Sequence, residues 1–416
     1  MALDGSRNEL KYTMMHMSML HRILPLVHGD RKRPWLLIIP LLVAVLSISL
    51  ISCGPEYTYQ VPEATGDGLH TASLESVELD GQTLGELIRL IKQGKYKNIH
   101  SILIIKDEEL VFEEYFNGYV FDPSDDQLRG EHIEFGINTI HNLASVTKSI
   151  TSALIGIAID HGFIKSVEQD IFTFFPEYSH LNNSEKNKIT LEHLLTMTSG
   201  LEWHELELPY TEENDLIQLF IVPGPIEYIL AKPVIAEAGT RWYYSGGDVN
   251  LLGEIIKNAT GLRIDDFAEK YLFKPLGISE YEWVYLNPDI VYTSGDLKLR
   301  PRDMAKLGYL YLKNGIWNGK RVISEEWVKA STEEYISVPI PHFTEMYGES
   351  YGYHWWLRTD YDDLEPYQSF LRTGWGGQRI SVYPEVNMVV ILTGGNYVTN
   401  EPVNEITSRF ILPALR

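Results

Sequence analysis

The chain has 416 residues, 44% of them hydrophobic and 12% aromatic, which supports a substantial core and excludes a wholly disordered chain. Its 57 acidic residues outnumber 35 basic ones, a formal charge of -22 that excludes a nucleic-acid partner, because phosphate binding needs a basic surface. A single cysteine, Cys53, excludes an internal disulfide framework and a cysteine-rich zinc site.

Residues 1–30 form a stretch containing Met and His, read as an over-long start with no assigned role. Arg31-Lys32-Arg33 then precede an almost unbroken apolar run at 35–52, the layout of an export signal. Leu50-Ile51-Ser52-Cys53-Gly54 resembles a bacterial lipobox, in which a signal peptidase cuts before the cysteine and the thiol carries lipid. The alternative is an uncleaved helix, since the run approaches the roughly 20 residues that span a bilayer. Either way the basic cluster stays cytoplasmic and the remainder is exported. The expected localisation is therefore exported and membrane-anchored, as a bacterial lipoprotein on the cell surface or periplasmic side. Residues 54–73 hold Pro and Gly with no apolar period and read as a tether. The expected organisation is a signal peptide or anchor at 1–52, a lipid-bearing Cys53 with tether at 53–83, and a folded domain at 84–416.

Residues 84–91 place apolar side chains at helical spacing. Two apolar runs at 99–105 and 110–116, separated by Lys106-Asp107-Glu108-Glu109, predict a β-hairpin. Helical patterns follow at 149–162, 191–197, 215–219, 249–258, 264–272, 301–313 and 325–330. Strand composition returns at 351–358, 368–373, 378–383 and 388–393, before a short helix at 405–415. Strands at both ends around a helical middle predict an α+β fold: an antiparallel sheet built from both termini, flanked by helices, with an inserted helical lobe.

Three segments carry the candidate chemistry. A serine hydroxyl attacks a carbonyl only when a neighbour takes its proton, and Ser145 has Lys148 three residues on, on one face of the helix that begins there. At a pKa of roughly 10.4 that lysine is no base at neutral pH, so it needs burial or a second cation. Tyr244, in Trp242-Tyr243-Tyr244-Ser245-Gly246-Gly247, is a candidate proton shuttle. Arg372-Thr373-Gly374-Trp375-Gly376-Gly377-Gln378 closes a strand with glycines that let a substrate approach backbone NH groups. Taken singly, each segment also fits an ordinary role: a helix-start serine with a solvated lysine, a turn tyrosine, a Gly-rich hairpin. His193, in an apolar helical stretch, reads as structural, and His204 beside Trp203 fits a cleft wall or the surface equally. Trp355 and Trp356 read as packing residues. With no His-Glu-x-x-His or similar spacing, no metal is expected, and acyl transfer to a serine requires no cofactor.

In their order, Ser145-Val146-Thr147-Lys148, Tyr244-Ser245-Gly246 and Arg372-Thr373-Gly374 resemble the motif set of the serine β-lactamase and penicillin-binding superfamily. The stretch from Ile189 through Leu194-Leu195-Thr196-Met197-Thr198-Ser199-Gly200 to Leu201, and Pro301-Arg302-Asp303-Met304-Ala305-Lys306-Leu307-Gly308, look like the class C β-lactamase-related branch. Within it the chain looks closest to 6-aminohexanoate-dimer hydrolase and esterase-like members, over residues 84–416. The resemblance implies a β-lactamase/transpeptidase-like fold and an acyl-enzyme hydrolase for small ester, amide or peptide-like substrates. It implies Ser145 as the acylated residue, with Lys148 and Tyr244 moving protons and the order of their duties left open. The backbone NH groups of Ser145 and Trp375 would form the oxyanion hole, with Gly246, Arg372, Thr373, Gly374 and Trp375 at the substrate. The other reading is a surface sensor or penicillin-binding protein that acylates once, or only holds peptidoglycan fragments. Gly246 stands where β-lactamases carry asparagine and Arg372 where they carry lysine, and both departures argue against efficient β-lactam hydrolysis. Arginine keeps a charge for a carboxylate-bearing substrate.

Overall fold

The computed structural model describes residues 57–338, 347–362 and 364–416. The expected anchor at 1–52 and Cys53 lie outside the described residues. Among the described residues no helix is long and apolar enough to cross a membrane.

The sheet draws strands from both ends of the chain: β1 (His70–Thr71), β2 (Ile99–Lys106), β3 (Glu109–Tyr115), β4 (Ile336–Ser337), β5 (Ser350–Tyr351), β6 (Trp356–Tyr361), β7 (Pro366–Gly374), β8 (Gln378–Tyr383) and β9 (Met388–Gly394). Their order is β1-β3-β2-β9-β8-β7-β6-β5-β4. Every neighbouring pair is antiparallel except β1 with β3, which makes the sheet mixed at one edge. Alternation along each strand splits the core in two. Leu103 and Ile105 of β2, with Val389 and Ile391 of β9, face one helical layer; Ile102, Ile104, Val390 and Leu392 face the other.

The second layer is built by helix α1 (Gly81–Lys92) and the C-terminal turns from Val403 onward. Asp80 caps α1 by accepting from the amides of Gln82 and Thr83, and Leu84, Leu87, Ile88 and Ile91 form its buried stripe. On the opposite face lie α2 (Thr147–Asp160), α3 (Gly246–Thr260) and α4 (Pro301–Leu312), with the rest of the helical lobe around them. Helix α2 is buried almost all round, as its lack of a polar face requires. Leu154, Ile155 and Ile157 are fully buried, each stabilising the fold by about 1.5–3 kcal/mol.

The tether expected through residue 73 is instead docked over its described part. The Tyr57 hydroxyl donates to Glu114 (2.6 Å), the Tyr59 hydroxyl to the Val111 carbonyl (2.7 Å), and Leu69 is buried beside β1. The buried Arg302 also holds the same stretch, donating to Thr65 Oγ1 (2.7 Å) and the Glu63 carbonyl (2.7 Å). The strand expected at 351–358 is broken: Gly352 N donates to the Trp355 carbonyl (2.8 Å) and His354 takes φ 61°, which reverses the chain between β5 and β6. The helix expected at 264–272 is helical over Ile264–Ala268 and widens into a π turn at Glu269–Phe273. A second hairpin, Asn117–Phe121 with Arg129–Glu134, was not expected, because each short strand carries a glycine, Gly118 or Gly130, and shows no long apolar run.

Candidate active site

Ser145 sits in the single tight turn Ala144–Val146 that leads into α2. The turn is pinned from both sides. Ala144 N donates to Asn142 Oδ1 (2.6 Å), and Leu143 N to the Leu297 carbonyl (2.9 Å). The Ala144 carbonyl accepts from Thr147 Oγ1 (2.7 Å) and Asp296 N (3.2 Å). Ala144 is held at φ 43°, a left-handed conformation that a residue with a Cβ adopts only when its surroundings impose it.

One helical turn on, Lys148 is 1% exposed. Its Nζ donates to Ser145 Oγ (3.1 Å) and to the Ser294 carbonyl (2.5 Å), and lies 4.9 Å above the Tyr244 ring. Tyr244 arrives from the loop before α3, where Ser245 caps the helix by accepting from Asp248 N. The Tyr244 oxygen stands 2.8 Å from Ser145 Oγ and 3.1 Å from Arg372 Nη2. Burial pushes the Tyr244 phenol upward, but the adjacent Lys148 and Arg372 cations outweigh burial and hold it below its ordinary value of 10.0.

The third segment closes β7. Gly374 is required there because a Cβ would run into the Leu143 carbonyl and stand 3.0 Å from Ser145 N. The end of the strand therefore lies against the nucleophile's own amide. Gly376 and Gly377 take φ 89° and 93° in the turn to β8, and Glu401 accepts from Gly376 N (2.9 Å). Trp375 is 40% exposed, its indole NH donating to the Tyr397 carbonyl (2.9 Å) and its ring stacked on Tyr210 at 5.6 Å.

The structure thus brings Ser145, Lys148, Tyr244 and Arg372 into one hydrogen-bonded group. Two of the expected substrate contacts change. Arg372 is 0% exposed, and its Nε, Nη1 and Nη2 donate to the Ser145 carbonyl (2.8 Å), the Tyr351 hydroxyl (2.6 Å) and the Tyr244 oxygen (3.1 Å), which makes it a buried guanidinium bound to the site's own groups. Gly246 is buried at the start of α3 with its amide bound to Glu205 Oε2 (2.6 Å); a side chain there would meet Leu216, Glu205 and Ser294. Thr373 is buried, its hydroxyl without a hydrogen-bond partner among the described residues. His193 shares a helix cap with Thr190, and His204 lies half-exposed 3.5 Å from Glu202, neither in contact with the group. Trp355 and Trp356 are fully buried packing residues. Sequence reasoning missed Tyr351, the second tyrosine on Arg372, and Glu205, a buried carboxylate beside the second motif. Among the described residues no three His, Cys, Asp or Glu side chains gather as a metal site would need.

A family model described as Beta-lactamase matches residues 100–405. An uncharacterised protein of Alkalihalophilus pseudofirmus is 26% identical over 329 residues, covering 73% of this chain and 86% of that protein. The lovastatin esterase of Penicillium rubens is 26% identical over 214 residues, 45% of this chain and 50% of its own length. Among solved structures, a Bacillus anthracis protein described as a 6-aminohexanoate-dimer hydrolase superposes with TM-score 0.62 at 23% identity, covering 79% of this chain and 81% of that one, a likeness of fold.

Proposed function

Because the chain belongs to the Beta-lactamase family, we propose that it is a serine hydrolase that cleaves ester or amide bonds through an acyl-enzyme on Ser145. The observation that carries this reading is the contact of one serine oxygen with both Lys148 Nζ (3.1 Å) and the Tyr244 oxygen (2.8 Å). Together they give the hydroxyl a proton acceptor and a relay within hydrogen-bond reach.

The reaction runs in two balanced halves. Ser145 Oγ loses its proton to the Lys148–Tyr244 pair and bonds to the substrate carbonyl carbon, whose oxygen takes up the negative charge. The amides of Ser145 and Trp375 receive that oxyanion, a reading supported by the packing of Gly374 against Ser145 N. Collapse breaks the bond to the alcohol or amine, which leaves with the proton from the pair. Water then repeats the sequence on the acyl-serine, releases the acid and restores the hydroxyl. The name of the esterase relative supports ester substrates.

The test is a panel of short-chain nitrophenyl esters, linear amides, D-amino-acid peptides and β-lactams. Esters are expected to turn over in a steady state and β-lactams least well, because a buried Arg372 offers their carboxylate no partner. A stoichiometric burst with no steady state on every substrate would instead support the single-acylation sensor.

The proposed setting is outside the cytoplasmic membrane, tethered through lipid on Cys53. Cys53→Ser is expected to remove palmitate labelling and membrane recovery together; membrane recovery that persists without any label in the parent protein would favour the uncleaved helix.

A further inference from the structure

Two carboxylates and a set of aromatic rings remain around the catalytic group once the duties of Lys148 and Arg372 are assigned. Glu205 is 3% exposed. Its Oε2 accepts from Gly246 N (2.6 Å) and from Trp203 Nε1 (2.9 Å). Its Oε1 has no hydrogen-bond partner among the described residues. Gly246, which Glu205 holds, is two residues from Tyr244, and the Glu205 charge acts on the phenols of Tyr244, Tyr351 and Tyr210. Asp296, half-buried at φ 62°, hydrogen-bonds Asn142 and sits within the field of Lys148.

The rings complete the wall. Tyr210 is 38% exposed and stacks on Trp375, while Phe121 and Tyr397 stand edge-on and tilted behind it. Exposed, stacked ring faces attract a cation through their quadrupoles, and the Glu205 carboxylate, whose charge reaches Tyr210, attracts it through Coulomb's law. The two cations of the site offer an anion nothing comparable. Arg372 is wholly enclosed, and Lys148 Nζ is turned to Ser145 and the Ser294 carbonyl.

We infer that the cleft selects its substrate by charge, taking esters or amides that carry a cationic nitrogen in preference to neutral ones and rejecting anionic ones, with Glu205 as the specificity-determining residue. The inference rests on the hydrolase reading above. Glu205 stands where the second motif of this chain has no side chain: its Oε2 lies 2.8 Å from the position of a Cβ on Gly246. The loop thus supplies a carboxylate at the place left empty by the glycine. The chain's overall charge of -22 draws cations toward the surface in the same sense, so the contribution of Glu205 must be separated from it.

The experiment compares three nitrophenyl esters on the full-length protein: 4-(trimethylammonio)butanoate, its neutral isostere 5,5-dimethylhexanoate, and hemiglutarate. The expected kcat/KM falls in that order, spanning on the order of tenfold or more between the cationic and anionic esters. Glu205→Gln keeps an acceptor for Gly246 N and Trp203 Nε1, and is expected to collapse most of that span. Turnover of all three esters at equal kcat/KM overturns the charge inference and leaves the hydrolase reading standing. A span unchanged in Glu205→Gln overturns the assignment to Glu205 and gives the effect to net charge. Failure of all three esters to turn over removes the hydrolase reading and this inference with it. Should the variant not fold, inhibition of the parent protein on the neutral ester decides: tetramethylammonium is expected to compete and acetate is not, and equal inhibition by the two overturns the inference.

Discussion

Ser145→Ala is expected to lower ester turnover by about 10⁴-fold or more and to abolish fluorophosphonate labelling. The size of the loss follows from position. The turn Ala144–Val146 is fixed by Asn142, Leu297, Thr147 and Asp296, and both Lys148 and Tyr244 reach Ser145 Oγ. Removing that oxygen leaves the relay with nothing to activate. Residual activity then measures what binding and the oxyanion donors achieve without a nucleophile. The fold is expected to survive, since alanine fits the same turn. A correctly folded Ser145→Ala protein that keeps its labelling and turnover would place the nucleophile elsewhere.

The second large effect is expected from Tyr244→Phe, a loss of about 10²- to 10⁴-fold in kcat with little change in KM. The Lys148 and Arg372 charges lower the Tyr244 phenol, so its deprotonated form becomes populated at a lower pH than for an ordinary tyrosine. A phenolate that accepts the serine proton makes kcat/KM rise as pH climbs through that lowered value. The rising limb therefore lies below 10.0, and phenylalanine should remove it. Because Tyr244 interacts this closely with charged neighbours, the limb reports the group and not one residue alone. A pH–rate profile of the two proteins on one neutral ester makes the comparison; a variant with the parent's rate and limb would take Tyr244 out of the relay.

Much of this site is legible in the sequence, for identifiable reasons. Ser145 and Lys148 are one helical turn apart at the mouth of an apolar helix, and local spacing is enough to put them on one face. Tyr244 and Arg372 lie far off in sequence, and only the order of three motifs ties them to Ser145. The two hairpin strands at the N-terminus and the last two strands of the chain are apolar runs bounded by polar turns, a pattern that needs no knowledge of the partner strand. Burial of polar side chains is another matter. Glu205 belongs to a loop that also holds Glu202, Glu207, Glu212 and Glu213, and nothing local marks it as the carboxylate that goes inside. Arg372 reads as a charge awaiting a ligand until Tyr351 and the Ser145 carbonyl are seen to occupy it. Tyr351 is legible as a strand residue and hidden as a partner, because the reversal at His354 that shapes its surroundings carries only Gly352 as a signal.

The strand order has a consequence for the timing of assembly. The centre of the sheet is the pairing of β2 with β9, Ile104 opposite Val390, between the first long strand and the last. A chain emerging in order cannot close that ladder until β9 has been made, so the two halves of the sheet wait for each other. Until then β2 lacks one of its two neighbours, and the catalytic turn is backed by an unfinished sheet.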